Sequence, residues 1–229
     1  MSWPLLSVVV MGFLLGVRHA TDPDHVVAVA AIVSRERSLR AALPIGVVWG
    51  VGHTATILLL GVGIILFGLV VPPRVGLGME LAVAVMLIGI GAASLRATRA
   101  PATHAHPHAH EHERASTGAA RLVRPLVVGV VHGLAGSAAA ALLVLGAVHD
   151  PRWAVAYLVV FGVGTVAGML AITAALASPL ALGVARSARL HRGVTVAAAM
   201  ISVLFGAFLV YEITVVHGLF SAAPQWTPG

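Results

Sequence analysis

The sequence predicts an all-α integral membrane protein of about six transmembrane helices in a 3+3 inverted repeat, with the first helix broken at a His/Asp motif. Three observations lead there. Of 229 residues, 59% are hydrophobic and only 10% charged, with a mean hydropathy of +0.99, whereas an ordinary soluble domain carries about 25% charged residues. Several apolar stretches are each long enough to cross a hydrocarbon core of about 30 Å, which takes about 20 helical residues, and none shows the short alternating pattern of a barrel. Finally, the second half of the chain echoes the first in order and spacing.

The first span, Leu5–Val33, holds 29 residues, or about 43 Å of continuous helix, too long for the core without a tilt or a break. Pro23 supplies the break, since it lacks a backbone donor and disfavours helical geometry at Asp22. The second and third spans are expected near Ala42–Val71 and Met79–Leu95, the fourth to sixth near Pro125–Val148, Trp153–Leu182 and Val194–Val216. This divides the chain into a first three-helix repeat (1–95), a His-rich loop (96–124), a second three-helix repeat (125–217) and a C-terminal tail (218–229). Met1–Leu6 lacks a positive region and a small-residue cleavage pattern, so no cleaved signal peptide is read.

All 14 basic side chains are arginine. Arg35, Arg37 and Arg40 follow span one, Arg96, Arg99, Arg114, Arg121 and Arg124 follow span three, and Arg186, Arg189 and Arg192 follow span five. Only Arg74 and Arg152 lie on the opposite side. An excess this lopsided orients a membrane protein rather than binding nucleic acid: the arginine-rich loops are cytoplasmic and both termini outside. Trp3, Trp153 and Trp226 then fall at the outer interface as aromatic anchors. The absence of cysteine excludes disulfides, thiolate ligands and dithiol redox chemistry.

The repeat rests on three matches in order. Gly16-Val17-Arg18-His19 matches Gly129-Val130-Val131-His132 at an offset of 113, and Val48-Trp49-Gly50-Val51-Gly52 matches Val160-Phe161-Gly162-Val163-Gly164 at 112. Met86-Leu87-Ile88-Gly89 is echoed more faintly by Val203-Leu204-Phe205-Gly206. Three spans repeated must insert with opposite topology, the plan of many secondary transporters.

Span one also carries the chemistry. Arg18, His19, Asp22, Asp24 and His25 place five ionisable groups within eight residues, and exposing each charge to lipid would cost about 2.5–3.5 kcal/mol even on a lenient scale. They must face a polar cavity or one another. On an unbroken helix His19, Asp22 and His25 share an arc of about 120°, with Asp24 pointing elsewhere; a break at Pro23 lets Asp24 swing in. Two imidazoles and one or two carboxylates form a plausible divalent-metal ligand set. The plainer alternative is a salt-bridge network around Arg18, which could also support such a site by pairing with Asp22 or Asp24. His53 and His132 lie at the same depth as His25, about 10–14 Å from the inner edge. Thr54 and Ser137, with Gly50, Gly52, Gly133 and Gly136, are small neighbours that allow close helix approach and leave room for an ion.

In the third loop, His104, His106, His108, His110 and His112 form a tract suited to loose metal binding; a tolerated low-complexity linker is the bland reading. Glu80, Asp150 and Glu212 fall near the outer surface, read singly as interfacial residues and together as a weak cation-attracting mouth. His149, His191 and His217 sit at span ends without an assigned role.

The run from Gly16 to His25, followed by Gly52-His53-Thr54, resembles the nickel/cobalt transporter family, whose first-helix hallmark is His, four residues, Asp, His; His19, Asp24 and His25 fill it. His132-Gly133-Leu134-Ala135-Gly136-Ser137 looks like the short, urease-associated branch. The resemblance implies that His19, Asp24 and His25 recognise the metal, with His53 as partner. Longer members carry an acidic motif in the second half where this chain has His132 and no carboxylate. The resulting expectation is a permease for Ni²⁺ or Co²⁺, with no prosthetic group and the ion as cargo, favouring uptake, in the cell inner membrane, with a cytoplasmic metallochaperone as candidate partner. No nucleotide-binding motif is present, so the ion gradient, the membrane potential or partner proteins would drive it. The rivals are efflux through the same site, a sulfite or organosulfonate permease using Arg18, and an intramembrane metal-dependent hydrolase, for which His-Glu-x-x-His is missing.

Overall fold

The computed structural model describes residues 3–36, 38–99, 122–136, 140, 148, 150–182 and 187–226. Arg37, Arg114, Arg121, Ser137, His149, Arg186 and the loop histidines His104, His106, His108, His110 and His112 lie outside the described residues. Among those described, the secondary structure is entirely helical: α1 (Trp3–His19), α2 (Pro23–Val33), α3 (Leu39–Phe67), α4 (Pro73–Arg99), α5 (Leu122–Gly136), α6 (Pro151–Leu182) and α7 (Ala188–Tyr211), which runs into a π-helical turn, Glu212–Val216.

Four of these elements, α3, α4, α6 and α7 with its π extension, are long and apolar enough to cross a membrane; α1, α2 and α5 are shorter apolar helices. Residues Leu5–Val33, expected as one broken span, form two separate helices. For the fourth span, only α5 and single residues beyond it are described. The α3 and α7 starts are capped by Ser38 and Ser187, whose side chains accept from the Ala41 and Leu190 amides, satisfying donors a helix N-terminus leaves free. Gly68, at φ 62°, ends α3 in the left-handed region that a side chain would strain.

The distribution of polarity is that of a protein dissolved in lipid. Leu59, Phe67, Val163, Leu204 and Phe208 are more than half exposed, while His25, His53, Thr56, Ser94, His132, Thr165, Thr173, Thr195 and Ser202 are buried. Exposed apolar side chains cost nothing against hydrocarbon, and the buried hydroxyls other than Thr173 Oγ1, which has no partner among the described residues, bond carbonyls of their own or neighbouring helices. Ser202 Oγ donates to Leu87 O at 2.8 Å, Thr195 Oγ1 to Ser34 O at 2.9 Å and Ser94 Oγ to Ala31 O at 3.3 Å. These stitch α7 to α4 and α2, and α4 to α2.

Glycine sets the closest approaches. A Cβ at Gly16 on α1 would strike the Phe161 carbonyl of α6, and one at Gly164 the Phe13 carbonyl. On the other side, a Cβ at Gly129 on α5 would strike the Trp49 carbonyl of α3, and one at Gly52 would come within 2.7 Å of Leu126 O. The offsets 113 and 112 that relate the sequences convert the first pair of contacts into the second. Between α4 and α7, a Cβ at Gly91 would lie 2.6 Å from Ala199 O and one at Gly206 2.7 Å from Ala84 O. This corrects the faint third match: the residue facing the same environment as Gly206 is Gly91, not Gly89, which meets nothing within 4 Å. Two residues along a helix is about 200° of rotation, and the apolar letters that carried the match fit either register.

Candidate metal centre

The break in the first span builds the site. The Thr21 and Asp22 amides turn back onto Arg18 O and His19 O at 2.8 and 3.1 Å, and Pro23 begins α2. Proline suits that first helical position because no donor is lost there. Asp22, at the N-cap with φ −59° and ψ 144°, makes no capping bond. Its Oδ2 instead accepts from His19 Nδ1 at 2.8 Å. A cap exchanged for an imidazole partner forgoes about 1 kcal/mol of helix stability and fixes the His19 ring with Nε2 facing inward.

Asp24 does swing in. Its Oδ1 accepts from the His25 amide at 2.9 Å and from His25 Nδ1 at 3.0 Å, while Oδ2 lies 2.8 Å from His132 Nε2. One carboxylate therefore clasps two imidazoles from α2 and α5. With Nδ1–H committed to Asp24, His25 Nε2 is a lone pair, and it is buried without a partner. His53, fully buried on α3, presents Nε2 to His19 Nε2 at 3.2 Å. Two nitrogens each about 2.0–2.1 Å from a shared metal would stand about 3–3.4 Å apart. Ligating atoms of His19, His25 and His53 lie within 4.8 Å of one another, as do those of Asp24, His25 and His132. His25 belongs to both groups. The partial positive charge at the start of α2 disfavours a cation, and Asp22 and Asp24 at that terminus offset it.

Aromatic rings wall the cluster. Trp49 stacks on His25 with centroids 6.3 Å apart and 6° between planes, and lies 5.7 Å from His132. Phe161, the counterpart of Trp49 at offset 112, lies 5.4 Å from His19. The centre forms one wall of a cavity of about 320 Å³ that extends past Ala135 and Phe205 to Glu80, Glu212 and His217. None of these last three was assigned to the site from sequence, yet all line the same cavity as the histidines. Trp226, expected as an interface anchor, donates its Nε1 proton to Glu80 Oε1 at 2.7 Å and packs on Gly76.

Other expectations find different places. Arg18 is exposed, lines no part of this cavity and makes no ion pair with Asp22 or Asp24 among the described residues, so the salt-bridge network around it is not formed. Thr54 faces α6, donating to Gly162 O at 3.2 Å.

The family model for NicO, described as a high-affinity nickel-transport protein, matches residues 5–117, the half that carries His19, Asp24, His25 and His53. Along nearly its whole length the chain is also similar to the urease accessory protein UreH of Bacillus sp. (strain TB-90): 36% identical over 219 residues, covering 94% of this chain and 96% of the relative. No solved structure matches.

Proposed function

The chain belongs to the NicO family of high-affinity nickel-transport proteins, multi-pass membrane transporters rather than enzymes, and from that premise we propose that it carries Ni²⁺ or Co²⁺ inward through a site made by His19, Asp24, His25 and His53, with His132 completing the path. The observation that carries this reading is the convergence of His19 and His53 nitrogens at 3.2 Å beside the unpartnered Nε2 of His25, on the wall of an open cavity. Imidazole with carboxylate suits Ni²⁺ and Co²⁺ as borderline ions. The exposed position of Arg18 favours this reading over an anion permease.

Sidedness supports the inward direction. The cavity extends to Glu80, Glu212 and His217, the end the arginine distribution assigns to the outside, with both termini there and the His-rich loop in the cytoplasm as a metal buffer. The cell inner membrane then supplies the driving force, about 4.6 kcal/mol per 100 mV for a dication moving inward. A metallochaperone would receive the ion. The 3+3 inverted repeat is supported by the two sets of glycine contacts that interconvert at the sequence offsets.

The reading is tested by ⁶³Ni²⁺ accumulation at submicromolar metal in cells expressing the wild type, His19→Ala or Arg18→Gln. Accumulation above control that disappears in His19→Ala and survives in Arg18→Gln is expected. Accumulation below control would mean export, and loss in Arg18→Gln alone would restore the anion reading.

A further inference from the structure

We propose that Trp49, flanked by Val29 and Val128, is the closed inner gate of the ion path, and that a second cavity beyond it is the vestibule into which the ion is released. The proposal rests on the transport reading above and adds to it the route. Three helices carry the same succession of layers. His25, His53 and His132 lie at the metal centre on α2, α3 and α5. One turn further toward the Arg35 end, each helix presents a buried apolar side chain, Val29, Trp49 and Val128, 1%, 0% and 4% exposed and packed in one cluster. One turn beyond these, Ile32, Ile45 and Pro125 line a separate cavity of about 290 Å³ that also receives Arg35, Ser94 and Arg124.

The apolar layer is thus about one helical turn deep, about 6 Å for four residues, with an ion-binding cluster on one side and a polar cavity on the other. Trp49 lines neither cavity. A dication cannot cross such a layer without a large desolvation cost, so a path exists only if the layer parts. Valines cannot part it by rotamer changes alone, because their branched Cβ keeps the same bulk near the helix. The indole can. Its stacking on His25 and contact with His132 also connect its position to the ligands themselves.

The indole shows why it would move. Its Nε1–H is buried without a partner, and a buried donor left unsatisfied is a cost that native structures rarely carry without reason. Swinging toward the second cavity would hydrate that donor and open the layer in one motion. Phe161, in the equivalent place beside His19, has no such donor.

The absence of cysteine makes single-cysteine probes clean. Ala135→Cys reports on the first cavity and Ile45→Cys on the second, each exposed in vesicles of known sidedness to a membrane-impermeant methanethiosulfonate applied from one face. With Trp49 present, Ala135→Cys should be labelled from the Glu80 face and protected from the Arg35 face, with the reverse for Ile45→Cys. Adding Trp49→Ala should remove the protection of Ala135→Cys, and Trp49→Phe should largely restore it. Unchanged protection in Trp49→Ala, with labelling from the Glu80 face intact, would overturn the gate, as would labelling from both faces in the parent. Val128→Ala widens the same layer more gently and is read in the same way, so the answer does not depend on Trp49→Ala folding. Labelling does not require metal: protection lost in Trp49→Ala together with no ⁶³Ni²⁺ accumulation in wild-type cells would uphold the gate and reject nickel as cargo.

Discussion

Asp24→Asn is expected to weaken Ni²⁺ binding to the purified protein by about 100-fold or more, the upper range for losing a group that orients metal-bound histidines, and to abolish uptake at submicromolar metal. The substitution changes almost no volume. What it removes is the one anion that touches both His25 and His132, at 3.0 and 2.8 Å. With the carboxylate in place both imidazoles donate toward Asp24, which leaves His25 Nε2 free to bind the ion. An amide can accept from one ring but must present its NH₂ to the other, and that ring then has to turn or change tautomer. The negative charge nearest the start of α2 is lost as well, where the helix dipole opposes a cation. Asp22→Asn should be milder, about 10-fold, because Asp22 touches only the outer nitrogen of His19 and is itself 47% exposed. Isothermal titration with Ni²⁺ measures both; equal effects would mean that the two carboxylates act only through their summed charge.

That contrast marks the limit of what the sequence could say about the site. Helical periodicity favoured Asp22 over Asp24 as the carboxylate sharing a face with the histidines, and only the break at Pro23 reverses the order. The break itself was legible from proline and from a span about 43 Å long. The common depth of His25, His53 and His132 was legible too, since depth needs only a residue count from a span end. Which faces those helices turn to one another was not, because every face of a buried membrane helix is apolar and no hydrophobic stripe reveals its rotation. Trp49 illustrates the loss. It stood in the repeat match and lies one turn from His53, yet an indole on an apolar helix carries no sign that it abuts imidazoles. The sequence marks Glu80 and Glu212 as outer-surface residues and His217 only as a span-end residue; their sharing a cavity with the centre depends on α4 and α7 packing against α2. Tertiary contact decides that, and neither span carries a local signal of it.

The second large effect concerns packing. Gly129→Ala should destabilise the protein by about 1–3 kcal/mol, the usual range for overpacking, and should weaken metal binding although Gly129 touches no ion. The added Cβ would strike the Trp49 carbonyl and lie 2.7 Å from Trp49 Cδ1 and 3.0 Å from the His53 amide. Backbone cannot yield there as a flexible side chain could, so α5 must move away from α3. That motion carries His132 off Asp24 and loosens the indole beneath His25. Gly89→Ala is the control: it lies in α4, meets nothing within 4 Å, and should be neutral or stabilising, since alanine is favoured over glycine inside a helix by about 1 kcal/mol. Thermal unfolding in detergent with and without Ni²⁺ separates the two effects. A Gly129→Ala protein that unfolds earlier but gains the same Ni²⁺ stabilisation as wild type would show that the α3–α5 seam holds the bundle without setting the site. Loss of that stabilisation would show that the close approach at Gly129 is what brings histidines from separate helices within reach of one ion.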